Sequence, residues 1–131
     1  MEVTDDLKER VWAKAIVPSG YENTQLRKDV CGAWMQWDKY GDNTNTFGWH
    51  IDHICPKSRL EAKGIQEDKI DEDINLQPMN YRNNESKGDD YPEYHSVVTA
   101  KGLNNVEERH THMVDFSKQE KLRKFYGIDS L

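Results

Sequence analysis

An α+β domain is what the sequence predicts, and three observations predict it. Apolar residues recur at helical spacing near both ends of the chain, short strand-like runs occupy the middle, and clusters of Gly, Pro, Asn, Asp and Ser separate them. A chain of 131 residues suits one domain and is short for two, so residues 1–131 are read as a single unit.

Thr4 stands before Asp5 and Asp6, which suit the positive end of a helix. Leu7, Val11 and Ala15 then recur at helical spacing, which predicts a helix from Asp5 to Ala15. Val17-Pro-Ser-Gly-Tyr21 breaks it. Residues 24–40, with Trp34, Trp37 and Tyr40, are expected to wrap the core as short helix or irregular chain, and Gly41-Asp-Asn-Thr-Asn-Thr46 reads as a loop. Phe47 to Ile54 reads as a short strand. Residues 56–73 are polar and charged and predict a long loop that carries function or covers something. Leu76-Gln-Pro-Met79 predicts a second short strand, held to a sheet edge by Pro78, and a helix is expected to begin at Tyr81 and reach Lys87. Toward the C-terminus, Ser117-Lys-Gln-Glu120 forms a capping box, Leu122 and Phe125 supply an apolar face, and Gly127 is a natural stop.

Composition narrows the class. Hydrophobic residues make up 35% of the chain and charged residues 32%, so the core is expected to be thin. Four Trp, six Tyr and three Phe argue against disorder, because each ring can bury a large area. No run has the length or apolarity of a membrane span. The acidic start, Met1-Glu-Val-Thr-Asp-Asp6, lacks the basic-then-apolar pattern of a secretory signal, and cytoplasmic residence is the default expectation. Cys31 and Cys55 are far apart with no C-x-x-C pair, so neither a structural zinc site nor a disulfide framework is expected. The net charge is −6, whereas chains that hold nucleic acid usually present a basic face. Much of the acidity lies in Glu67-Asp-Lys-Ile-Asp-Glu-Asp73 and Asp89-Asp90. Basic residues gather at Arg27-Lys28, at Lys57, Arg59 and Lys63, and at Lys118, Lys121, Arg123 and Lys124, and binding depends on such distribution rather than on the sum.

The informative stretch is Trp49-His-Ile-Asp52-His53-Ile-Cys-Pro56, followed by Asn75-Leu-Gln-Pro78 and, nine residues past Asn75, by Asn84 with Lys87 beyond it. This constellation resembles the HNH endonucleases of the ββα-metal group, in which a D-H-I-x-P run precedes N-L-x-P and a final His or Asn. The core of the resemblance covers about 47–90. A looser likeness to stand-alone bacterial and phage HNH proteins extends upstream through Val11-Trp12, Gly20-Tyr21 and Arg27-Lys-Asp-Val-Cys-Gly-Ala33. It implies a two-stranded antiparallel hairpin plus helix, flanked by N- and C-terminal helices. It also implies hydrolysis of phosphodiester bonds in DNA, with RNA as the alternative, leaving a 5′-phosphate and a 3′-hydroxyl. Where many relatives have a Gly-Gly turn, this chain has Arg59-Leu-Glu-Ala-Lys-Gly-Ile65.

Phosphodiester chemistry explains the residue types. The anionic centre repels nucleophiles and the alkoxide leaves poorly, and a divalent cation offsets charge on both. Magnesium-like ions prefer oxygen ligands and often take only one or two from protein, which suits the Asp52 carboxylate and the Asn84 amide oxygen as ligands of one Mg²⁺ or Mn²⁺. An imidazole titrates at about 6.5 and can take a proton from water near neutrality, the role expected of His53. Asn75 is expected to hold the loop that aims the histidine by bonding nearby backbone. Adjacent residues of an ideal strand face opposite ways, so Asp52 and His53 can serve one site only where the strand ends, twists or bulges.

Each assignment has a blander rival. Asn84 could be a solvated or capping residue, and a one-residue change of register would make Asn83 the ligand. Asn75 could be a turn residue. Lys57, Arg82 and Lys87 are candidate phosphate contacts, against the alternative of solvated cations. His50 shares strand parity with Asp52 and so could reach an ion's outer shell, whereas His110 and His112 lack a third ligand. The function classes are accordingly three: a metal-dependent endonuclease, a catalytically silent nucleic-acid or protein-binding module of a larger assembly, and a toxin or defence nuclease with a partner-facing acidic surface.

Overall fold

The structure is a computed structural model that describes all 131 residues. Helix α1 (Asp5–Trp12) begins where the sequence predicts, with the Thr4 hydroxyl accepting from the Leu7 amide and Asp5 and Asp6 in its first turn. It stops at Trp12 rather than Ala15. Ile16 exchanges two backbone hydrogen bonds with Lys28, at 2.9 and 2.8 Å, and this pairing draws the chain out of the helix.

Residues 24–40 are not mainly irregular. They form an antiparallel hairpin of β1 (Leu26–Lys28) and β2 (Trp34–Gln36), followed by a 3-10 turn at Trp37–Lys39. Asp29 organises the turn, one carboxylate oxygen accepting from the amides of Cys31 and Ala33 at 2.9 Å. Gly48 is required by a close approach: a Cβ there would lie 1.9 Å from the Asp42 carbonyl, so only glycine lets loop 41–48 close onto the next strand.

Strands β3 (Trp49–His53) and β4 (Leu76–Asn80) pair antiparallel with Asp52 opposite Gln77 and His53 opposite Leu76. Pro78 lacks an amide hydrogen and is tolerated because each strand of this two-stranded sheet is an edge. Helix α4 (Tyr81–Lys87) follows directly, capped by the Asn80 side chain, which accepts from the Arg82 amide. Between β3 and β4 the expected long loop is instead α2 (Lys57–Ala62), α3 (Glu67–Ile70) and a 3-10 turn at Asp73–Asn75. Leu60 and Ile70 anchor these helices by full burial, a signal diluted in sequence by the charged residues around them.

Beyond α4 lies a second hairpin, β5 (Glu93–Lys101) with β6 (Asn104–Met113), interrupted by a bulge between Ser96 and Val98. Helix α5 (Phe116–Tyr126) closes the chain. Its cap is Asp115, whose carboxylate accepts from the Ser117 amide, so the capping box expected at Ser117 does not form. Its buried stripe is Gln119, Leu122 and Tyr126, while Phe125 is 42% exposed. Gly127 ends the helix in the left-handed region, as glycine readily does.

The central hairpin is packed on two sides. Trp49, Ile51 and Leu76 join Leu7, Val11, Trp12 and Met35 in one apolar cluster, and Met79 joins Ile54, Leu60, Ile70 and Leu122 in the other. The molecule is a mixed α+β fold of small antiparallel two-stranded sheets and helices. No helix is long and apolar enough to cross a membrane, and both cysteines are free and buried.

Candidate functional site

The site is built where β3 ends. His53 is the last residue of the strand, and the chain then bends through Ile54 and Cys55 to Pro56. Asn75 fixes that bend. Its side-chain oxygen accepts from the Cys55 amide at 2.8 Å, and its amide nitrogen donates to the carbonyls of Cys55 (3.0 Å) and Ile70 (3.2 Å). Its own carbonyl accepts from the Ile54 amide at 2.8 Å. Fully buried, Asn75 thus ties the exit of β3 to the end of α3.

With the strand ended, Asp52 and His53 need not face apart. Both line one surface depression of about 280 Å³, together with Asn84, Lys57, Pro56 and Gly88. Asp52 is buried, and its Oδ2 accepts from Gln77 Nε2 at 2.9 Å and lies 3.3 Å from Lys87 Nζ. Burial pushes the Asp52 carboxyl above its ordinary range, and Lys87, then Gln77, pull it back. His53 Nε2 lies 2.7 Å from Asp71 Oδ1, with both side chains largely shielded. A carboxylate offers no proton, so Nε2 carries the hydrogen of this bond, and in the neutral ring Nδ1 is the acceptor.

Asn83 and Asn84 separate cleanly. Asn83 is fully buried, its oxygen accepting from the amides of Val97 and Val98 and its nitrogen donating to Asp29 and the Val98 carbonyl. All of its capacity goes to holding α4 against β5 and the Asp29 turn. The Asn84 side chain, half-buried on the wall of the depression, has no hydrogen-bond partner in the protein.

Two expected roles need correction. Lys87, expected at a phosphate, is 1% exposed, and its ammonium donates to the His53 carbonyl at 2.9 Å beside Asp52; it holds the carboxylate from within the protein. Arg82 pairs with Glu107 at 2.9 Å and lines a separate pocket with Glu107 and Arg109, outside the depression. His50, for which an ion's outer shell and pairing with a neighbour were both open, pairs with loop 41–48, where its Nε2 meets Asn43 Oδ1 at 2.6 Å. Of the candidate phosphate contacts, Lys57 alone lines the depression, within 3.7 and 3.5 Å of Glu61 and Glu67. His110 and His112 lie on β6, paired with Glu108 and Ser96.

The donor chemistry fits a hard divalent cation. Asp52 keeps carboxylate lone pairs beyond those taken by Gln77 and Lys87, and the free Asn84 amide supplies a second oxygen on the same depression, the small protein share that magnesium-like ions accept. No group of three or more His, Cys, Asp or Glu is arranged to hold an ion, so water and substrate oxygens would complete the coordination.

Two participants escape sequence reasoning. Asp71 sits in the acidic run 67–73, which reads as solvated, and only the packing of α3 brings it to His53. Gln77 carries a legible signal, because antiparallel pairing of the two strands sets it opposite Asp52. No family model, curated protein or solved structure matches the chain.

Proposed function

We propose that this chain is a metal-dependent endonuclease of the HNH type that hydrolyses phosphodiester bonds in DNA. The observation that carries this reading is the shared depression: a carboxylate, an imidazole and an unpartnered amide, Asp52, His53 and Asn84, on one small concave surface.

In this mechanism His53 takes a proton from water through Nδ1. Asp71 accepts from Nε2–H, which fixes the tautomer and steadies the imidazolium that forms. Asn75 holds the bend that aims the ring. Lys57 meets a phosphate at the rim. Lys87 and Gln77 keep the Asp52 carboxylate in place. Asp52 and Asn84 would hold one Mg²⁺ or Mn²⁺, which when bound offsets the charge of the phosphate and of the departing oxygen. Water, having given its proton to His53, adds to phosphorus, the bond to the 3′ oxygen breaks, and that oxygen takes a proton from a solvent water to leave as the 3′-hydroxyl, with the phosphate on the 5′ side.

A second reading, a silent binding module, draws on the Lys87 ammonium held against Asp52 and on the net charge of −6. One assay separates the two. Purified protein is incubated with supercoiled, linear and single-stranded DNA and with RNA, in Mg²⁺, in Mn²⁺ and in EDTA. The nuclease reading expects cleavage that EDTA abolishes and either metal restores; binding without turnover under every condition would replace it with the module.

A further inference from the structure

The largest apolar concavity lies away from the depression. It is a cavity of about 350 Å³ walled by β4, the end of β6, the start of α5 and the turn after α1. Most of its lining is hydrophobic. Three of its lining residues, Ile16, Val30 and Met113, are 51%, 52% and 51% exposed, although they are large and the chain has few apolar residues to spare. Phe116, in sequence between the lining residues Asp115 and Lys118, is 75% exposed. Apolar residues gathered around one opening mark a binding site more often than scattered ones do.

Two of the cavity's charged groups are cations and one is an anion. Lys14 and Lys118 both line it. Lys14 is occupied by the carbonyls of Leu76, at 2.8 Å, and of Asp73, whose carboxylate also attracts it. Lys118 has no acidic or hydrogen-bonding partner at all. Burial first, and then the neighbouring Lys118, hold the Lys14 ammonium below its ordinary range, so the two cations repel across the opening. The one acid in the lining, Asp115, keeps its negative charge while its carboxylate caps α5, and it forms no ion pair with either lysine. In a chain of net charge −6, the unpaired Lys118 ammonium stands with Lys14 beside exposed apolar side chains, and Asp115 is the one acid that lines the cavity with them.

We infer that this cavity binds a small amphipathic monoanion of the fatty-carboxylate class, its apolar body against Ile16, Ile54, Tyr94 and Met113 and its carboxylate at Lys118 and Lys14. The volume lies near the small end of ligand pockets, roughly 300–1,000 Å³, which suits a short-chain or medium-chain molecule rather than a peptide segment. Charge complementarity selects the anion, and the lining selects the chain. The inference is independent of the nuclease reading.

The test is calorimetric titration of the full chain with decanoate below its critical micelle concentration. Saturable one-to-one binding is expected, with octanoate roughly tenfold weaker because each methylene buried adds about 0.8 kcal/mol. Decanol, which has the chain without the charge, is expected to bind at least tenfold more weakly. So are Lys118→Glu and Val30→Glu, which alter a half-buried and an exposed position of the lining outside the apolar core clusters. Absence of saturable binding, equal binding of decanol, or undiminished binding by both variants overturns the inference.

Discussion

Replacing Lys87 with methionine tests how the candidate site is held. Methionine keeps much of the aliphatic volume of lysine but removes an ammonium that is fully enclosed, 3.3 Å from Asp52 Oδ2 and 2.9 Å from the His53 carbonyl. In Lys87→Met, Asp52 loses its one ion-pair partner and is left with a single Gln77 hydrogen bond. Breaking one side of a buried ion pair costs about 3–5 kcal/mol, and the lost bond to the His53 carbonyl contributes about 1 kcal/mol within that range. A loss of about 4 kcal/mol is therefore expected, a large share of the roughly 5–15 kcal/mol that stabilises a folded domain. Urea denaturation followed by fluorescence of the four tryptophans reads it directly, as a lower midpoint with an unchanged slope. The double variant Lys87→Met/Asp52→Asn should recover a good part of the loss, because the buried charge goes with its partner. A cost below about 1 kcal/mol, the value of an exposed pair, would refute the reasoning, as would a double variant less stable than the single one.

Three further perturbations follow from the same geometry. Asn75→Ala removes three buried side-chain hydrogen bonds, to the Cys55 amide, the Cys55 carbonyl and the Ile70 carbonyl, and should cost about 3 kcal/mol in urea denaturation; a loss under about 1 kcal/mol contradicts its bracing role. Asp71→Asn should keep the fold but lower nuclease activity roughly 10- to 100-fold, the usual effect of removing the partner that orients a reactive group, and undiminished plasmid cleavage removes Asp71 from the mechanism. His112 gives the pH dependence. Burial, then His110 and His95, depress its proton affinity in the fold, so the neutral ring is the native form. The stability it contributes is present above the unfolded value of about 6.5 and is lost as pH falls through the lower folded value. The urea midpoint of the native chain should therefore drop more between pH 7 and pH 5 than that of His112→Gln, and parallel curves would sink the assignment.

What the sequence makes legible is the local chemistry. Thr4 before two acids marks the start of α1, Gly127 marks the end of α5, and β3, β4 and α4 fall where the sequence predicts a strand at 47–54, a second strand at 76–79 and a helix at 81–87. Tertiary pairing is what hides the rest. The termination of α1 depends on Lys28, the cap of α5 falls to Asp115 because the chain enters from β6, and α2 and α3 are short helices anchored by the single residues Leu60 and Ile70. In the hairpin of β5 and β6 only β5 alternates, with Tyr94, Ser96 and Val98 buried, while β6 buries no residue and so carries no period. In the site, spacing brings Asp52, His53 and Asn84 to one depression. It does not reveal that Lys87 lies beneath the carboxylate, that Asp71 holds the histidine, or that Asn83 is committed to Asp29 and β5. Those contacts join residues far apart in sequence, and charge alone reads as solvent exposure.

In the proposed mechanism His53 moves the proton at this depression. Nicking of supercoiled plasmid by wild-type protein and by His53→Ala, side by side in Mg²⁺ and with matched urea midpoints, tests it most directly. A proton-transfer group contributes about 10²–10⁴-fold, so the account predicts wild-type nicking and a variant slower by that factor. Equal nicking by the two proteins, or none by the wild type in either metal, contradicts it.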